Sequence, residues 1–156
     1  MSSNSPAILM RINVAGYFGR PVSVFAAYAP ATDILLVSRE SEYEVAERPG
    51  FLHVTNQHRD EHHDAVFTEQ DLKDAICAYF ELDALRLLTL GPKVQRLSPD
   101  SKIERMGVDE RGMNYRIAPD INCAQIAVMV ACLFASRQRG VNAAQDLADV
   151  FTAVTI

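Results

Sequence analysis

The four histidines of this chain, His53, His58, His62 and His63, fall within eleven consecutive residues. They are interleaved with Asp60, Glu61 and Asp64 in the stretch LHVTNQHRDEHHD, which runs from Leu52 to Asp64. Imidazole titrates near neutrality and is the commonest protein metal ligand, so the cluster offers proton transfer, metal binding or a pH-dependent charge. Read literally, His58-Arg59-Asp60-Glu61-His62 spells H-x-x-E-H. In that pattern two histidines one helical turn apart bind zinc and the glutamate activates a bound water. A catalytic zinc also needs a third protein ligand and an open position. The flanking Asn56-Gln57 and His63-Asp64 are polar on both sides, which argues against a buried protease helix. The plainest reading is a solvated loop before the Thr68 helix, and of the metal readings a non-catalytic site suits these residues better. His58 and His62 would share a helix face, His53 would reach back from a strand, and Asp60, Glu61 or Asp64 would complete a zinc or nickel shell.

Other chemistries fail on counting. His53-Val54-Thr55 is half of the paired H-x-T pattern of two-histidine phosphoesterases, and no histidine outside the cluster supplies the second half. Gly16-x-x-Gly19 lacks both a following Lys-Ser/Thr and the G-x-G-x-x-G spacing of a phosphate loop. The three cysteines, Cys77, Cys123 and Cys132, form no C-x-x-C pair. All three fall in apolar helical patterns, so buried, reduced thiols of a cytoplasmic protein are expected. The opening MSSNSPAILMRINV has no basic leader before an apolar run and cleavage site, and no export signal is expected. The longest apolar run, ten residues at Ile126–Ala135, is half of what a bilayer requires; no membrane contact is expected.

Charge is segregated along the chain. The net −5 conceals a local −9 over residues 40–83 and a local +4 over residues 84–139. Such asymmetry bears on partners and association rates rather than on fold. It marks the acidic segment, with Glu40, Glu42, Glu44, Glu47, Asp60, Glu61 and Asp64, as a contact surface for a protein with a basic surface. Arg96, Lys102, Arg105, Arg111 and Arg116 surround a predicted hairpin, but a pI near 5.3 makes direct nucleic-acid binding a poor fit.

Around these residues the chain reads as α+β. Residues 1–6 are small and polar and are expected to be disordered, leaving 7–156 as a single domain. Ala7–Val14, Val22–Tyr28 and Ile34–Ser38 read as strands of an antiparallel meander, with Ala29–Asp33 as a turn. Glu40, Glu42 and Glu44 share a face if the stretch is a strand; Glu40, Glu44 and Glu47 align if it is a helix. Phe51–Thr55 reads as another strand. Thr68 and Asp71 resemble a capping box ahead of an apolar stripe, Leu72, Ile76, Tyr79 and Phe80, so one crossing helix is expected near 69–86. Val94–Leu97 reads as a short strand, and Ile103–Val108 with Met113–Ile117 as a hairpin. A helix from Pro119-Asp120 to Arg139, a stop at Gly140 and a second helix capped by Asn142 predict a C-terminal helical hairpin. The first of these is apolar nearly all round, which allows a homodimer.

The expected object is thus an antiparallel sheet of short strands with one crossing helix and a C-terminal helical hairpin. Its expected role is that of a small acidic cytoplasmic binding protein rather than an enzyme. Adaptors, chaperones, immunity proteins and phage or mobile-element inhibitors share this compositional profile. The alternative is a metal-binding protein or zinc-dependent hydrolase built on the His53–His63 cluster.

Overall fold

Alternation of Met10, Ile12 and Val14 with Leu9, Arg11 and Asn13 gives a strand with one apolar face, β1 (Ile8–Val14). The computed structural model describes residues 7–39, 52–57, 64–92, 94–95 and 98–154, the side chains of 39 and 142–154 excepted. The meander is present: β1 pairs antiparallel with β2 (Val22–Ala29), and β2 with β3 (Ile34–Arg39). Asp33, at φ 60°, closes the intervening turn, and the Tyr28 hydroxyl donates to its carboxylate at 2.5 Å.

Outside this centre the sheet turns parallel. β4 (Leu52–Thr55) lies parallel to β1, and β5 (Ala65–Val66) parallel to β4. At the other edge β6 (Leu88–Leu90) lies parallel to β3, giving the order β5-β4-β1-β2-β3-β6. β3 and β4 are separated by residues 40–51, a connection of the dozen or so residues that a parallel crossover needs. The strand expected at Val94–Leu97 is not formed by its described residues: Val94 and Gln95 are a turn, and β6 precedes them.

Between the two edges runs α1 (Leu72–Ala84). Its 13 residues span about 20 Å at ~1.5 Å per residue. Five inter-strand intervals of ~4.8 Å make the sheet about 24 Å wide, so this one helix crosses nearly the whole of it. The capping box is formed: Thr68 N–H and hydroxyl donate to the Asp71 carboxylate at 2.9 and 3.1 Å. A 3-10 turn at Glu69–Asp71 leads into the helix.

The antiparallel hairpin of β7 (Ile103–Asp109) and β8 (Gly112–Ile117) forms where expected. Tyr115 stacks on Phe80 of α1, with the Arg105 guanidinium 4.7 Å from the same ring. The C-terminal helical hairpin does not form. A single helix, α2 (Cys123–Val154), runs through Gly140, which takes no left-handed φ. A helical glycine costs only about 1 kcal/mol relative to alanine, too little to break a helix without a competing turn.

α2 packs against α1, β1, β2 and β3. Residues Ile126 to Cys132 are fully buried without interruption. They meet Met10, Ile12, Val14, Val24, Ala26, Leu35 and Val37 from the sheet, and Ile76, Tyr79 and Leu82 from α1. Burial pushes the Cys132 thiol far up from its ordinary range, so it stays protonated and inert. Cys77 departs from expectation: it is exposed, one position off the Ile76–Tyr79 stripe and beside Tyr115.

Ser38 is 3% exposed, and its hydroxyl has no hydrogen-bond partner among the described residues. Ser38→Ala removes an unsatisfied group and is expected to raise stability by about 1 kcal/mol in urea unfolding. Asp71 is held below the ordinary carboxylate range, first by the Thr68 N–H and then by the Thr68 hydroxyl and Arg137. Its stabilisation is therefore complete above the unfolded carboxylate pKa and is lost as pH falls through the lower folded value. The stability difference between the native chain and Asp71→Asn is expected to be full at neutral pH and to close as the pH falls below the ordinary carboxylate range.

Candidate functional site

A cleft opens at the carboxyl ends of β1, β4 and β5, the position at which open sheets with parallel strands bind ligands. One lobe, about 310 Å³, is lined by Ala15, Gly16, Tyr17, Asn56, Gln57, Phe67, Thr68 and Glu69. A second, about 400 Å³, is lined by Asn13, Val14, Ala15, Pro21, Val22, Ser23, Thr55 and Gln57. Ala15 and Gln57 line both, so the lobes meet over the end of β1. Each volume lies within the usual size range of small-ligand pockets.

The wall between β1 and β2 is a loop that depends on glycine. Gly16 and Gly19 sit at φ 87° and 84°, in the left-handed region where a Cβ is strained. Asn56, just after β4, holds this loop like a strand partner: its Oδ1 accepts from Ala15 N–H at 3.0 Å and its Nδ2 donates to Ala15 C=O at 2.6 Å. The far side is tied to the start of α2. Phe18 N–H donates to Ile121 C=O at 3.3 Å, and Cys123 N–H to Phe18 C=O at 3.2 Å. There Asn122 and Gln125 exchange side-chain to backbone bonds at 2.8 and 3.1 Å, an N-terminal cap of α2.

Tyr17 is half-buried in the loop. Burial raises its phenol above the ordinary value, and the nearby Glu69 carboxylate raises it further, as does Cys123. The phenol is thus a neutral donor and acceptor beside an anionic group. On the floor of the second lobe, the Ser23 hydroxyl donates to Asn13 Oδ1. Asn13 Nδ2 lies 2.6 Å from His53 Nε2, the amide donating to the ring. Arg11 Nε donates to Ser23 Oγ at 3.4 Å. Ser23 therefore hydrogen-bonds to an amide rather than to the imidazole. The chain Arg11–Ser23–Asn13–His53 orients polar groups along the sheet face.

Of the residues singled out by sequence, His53 and Asp64 are brought together. His53 N–H donates to the Asp64 carboxylate at 2.7 Å, and Asp64 N–H to His53 C=O at 2.7 Å. This double contact closes the base of the 56–64 connection. Glu40, Glu42, Glu44, Glu47, His58, Asp60, Glu61 and His62 lie outside the described residues. Among the described residues no three His, Cys, Asp or Glu side chains gather as a metal site, and the zinc or nickel reading turns on His58 and His62. Sequence reasoning passed over Asn13, Tyr17, Ser23, Asn56, Gln57 and Glu69. The available signal was Gly16-Tyr17-Phe18-Gly19, two aromatics between glycines at a strand end, which reads as a shaped loop rather than a break. No protein-family model, curated protein or solved structure matches the chain.

Because Asn56 supplies both bonds to Ala15, Asn56→Ala leaves two backbone groups to find water. A stability loss of about 1–3 kcal/mol is expected, with faster amide exchange at Ala15 and unchanged exchange at Ile12. Equal protection at Ala15 in both proteins would show that the loop does not rely on this clamp.

Proposed function

We propose that this protein is a small non-enzymatic binding protein, of the adaptor or inhibitor kind, that recognises a protein with a basic surface through its acidic segment 40–83. The observation that carries this reading is the segregation of charge, −9 over that segment in a chain of net −5. The described part of the segment supports it. Asp64, Glu69 and Asp74 are exposed, at the 56–64 connection, the cleft and the first turn of α1. Other acids are matched internally: Asp71 pairs with Arg137 at 3.2 Å and Glu81 with Arg139 at 2.9 Å. The exposed set is what a partner would meet. Charge of one sign on such a face steers encounter and makes the association rate depend on salt.

The test uses the native chain and a variant with Glu40, Glu42, Glu44 and Glu47 all replaced by Gln as paired baits in extract of the source cells. A protein retained by the native chain at low salt, released by added salt and not held by the variant is expected. With that protein purified, the variant is expected to associate about tenfold more slowly and with a flatter salt dependence. Equal retention by both baits, or equal rates at every ionic strength, would discard the acidic surface as the contact.

A further inference from the structure

Three acids have a basic partner on α2: Arg137 reaches Asp71, and Arg139 reaches both Glu81 and Asp33. Glu69 is different. It lines the first lobe of the cleft, and no Lys or Arg among the described residues pairs with it. Among the described residues it is the one charged member of that lining, and the others supply a phenol, two amides, a hydroxyl, a phenyl ring and backbone. The described lining therefore carries a negative charge. The α1 N-terminus nearby would favour an anion, but the Asp71 carboxylate already occupies that field through the Thr68 N–H. The closeness of Glu69 to the Tyr17 phenol is shown by its part in raising that phenol. The half-buried Tyr17 presents an aromatic ring to the lobe, and aromatic faces add attraction for a cation; Phe67, 2% exposed, backs the lobe from the core. Amide oxygens and a phenol can accept the N–H groups that remain.

We infer that this lobe receives the cationic end of a basic side chain, arginine or lysine, presented by the partner. The inference rests on the reading of the chain as an acidic binding protein and gives that reading a specific seat. The lobe would hold one guanidinium or ammonium, with Glu69 as counter-ion, Tyr17 against its apolar stem, and Gln57 between the two lobes.

The test is a titration of the isotope-labelled full chain, followed through its backbone amide resonances. The probes are N-acetyl-arginine N-methylamide, its lysine counterpart and its neutral citrulline counterpart. Arginine, lysine or both are expected to shift Gly16, Tyr17, Gln57, Thr68 and Glu69, whereas citrulline leaves them in place. Glu69→Gln is expected to weaken that binding by about three- to fivefold, and Glu110→Gln, at the exposed β7–β8 turn outside the lining and outside segment 40–83, to leave it unchanged. Amides far from the cleft report that both variants remain folded. Equal shifts with citrulline, shifts centred elsewhere, or indifference to Glu69→Gln would overturn the inference. The two readings fail separately. A partner lost by the four-Gln variant but indifferent to Glu69→Gln removes the seat and keeps the acidic surface. Probe binding in the cleft with no salt-sensitive partner removes the surface and keeps the seat.

Discussion

Seven consecutive residues of α2, Ile126 to Cys132, have no exposed surface, and the arrangement of the other elements answers to that fact. A helix apolar on every side must be covered on every side. The sheet covers one flank through β1, β2 and β3, and α1 covers another. Fully burying one Val, Ile or Met side chain is worth roughly 1.5–3 kcal/mol, so Ile126, Val128, Met129 and Val130 together outweigh any surface contact in the molecule. α1 packs on α2, which itself lies on β1, β2 and β3, and β7–β8 follows α1 because Tyr115 stacks on Phe80.

The same helix sorts the charges. Its buried stretch ends near Ala135, and Arg137 and Arg139 follow at once. These two emerge beside α1 and the β2–β3 turn, where they meet Asp71, Glu81 and Asp33. Exposed pairs of this sort add little stability. Their effect is on the surface field, since they offset Asp71, Glu81 and Asp33 and leave Asp64, Glu69 and Asp74 with no Lys or Arg pair among the described residues.

The parts of the fold legible in sequence are those governed by local rules. The β1–β3 meander follows from alternation and the Ala29–Asp33 turn, the start of α1 from Thr68 and Asp71, and β7–β8 from Asp109 to Gly112. What could not be read depends on partners distant in sequence. Nothing in Leu52–Thr55 itself tells whether it joins β1 parallel or antiparallel, because the side-chain period is two either way. Gly140 looked like a stop because glycine often ends helices, but that role needs a left-handed φ that the backbone does not take here. Of the polar residues around the sheet end, His53 and Asp64 drew notice by residue type. Asn13, Asn56 and Gln57 did not, because amides acquire meaning only from the groups opposite them, and those are supplied by β1, β2 and the Ala15–Pro21 loop.

β5 and β6 are successive strands, yet they occupy opposite edges of the sheet, joined by α1. Neither edge exists until the strands between them have paired. β1 to β3 can assemble through short turns at small entropic cost, whereas joining 65–66 to one edge and 88–90 to the other fixes both ends of a long loop together. Contacts of this kind slow folding. The strap of β5, α1 and β6 is accordingly the late step of assembly, and until it closes, the apolar face of α2 that α1 covers is open to water and to other chains.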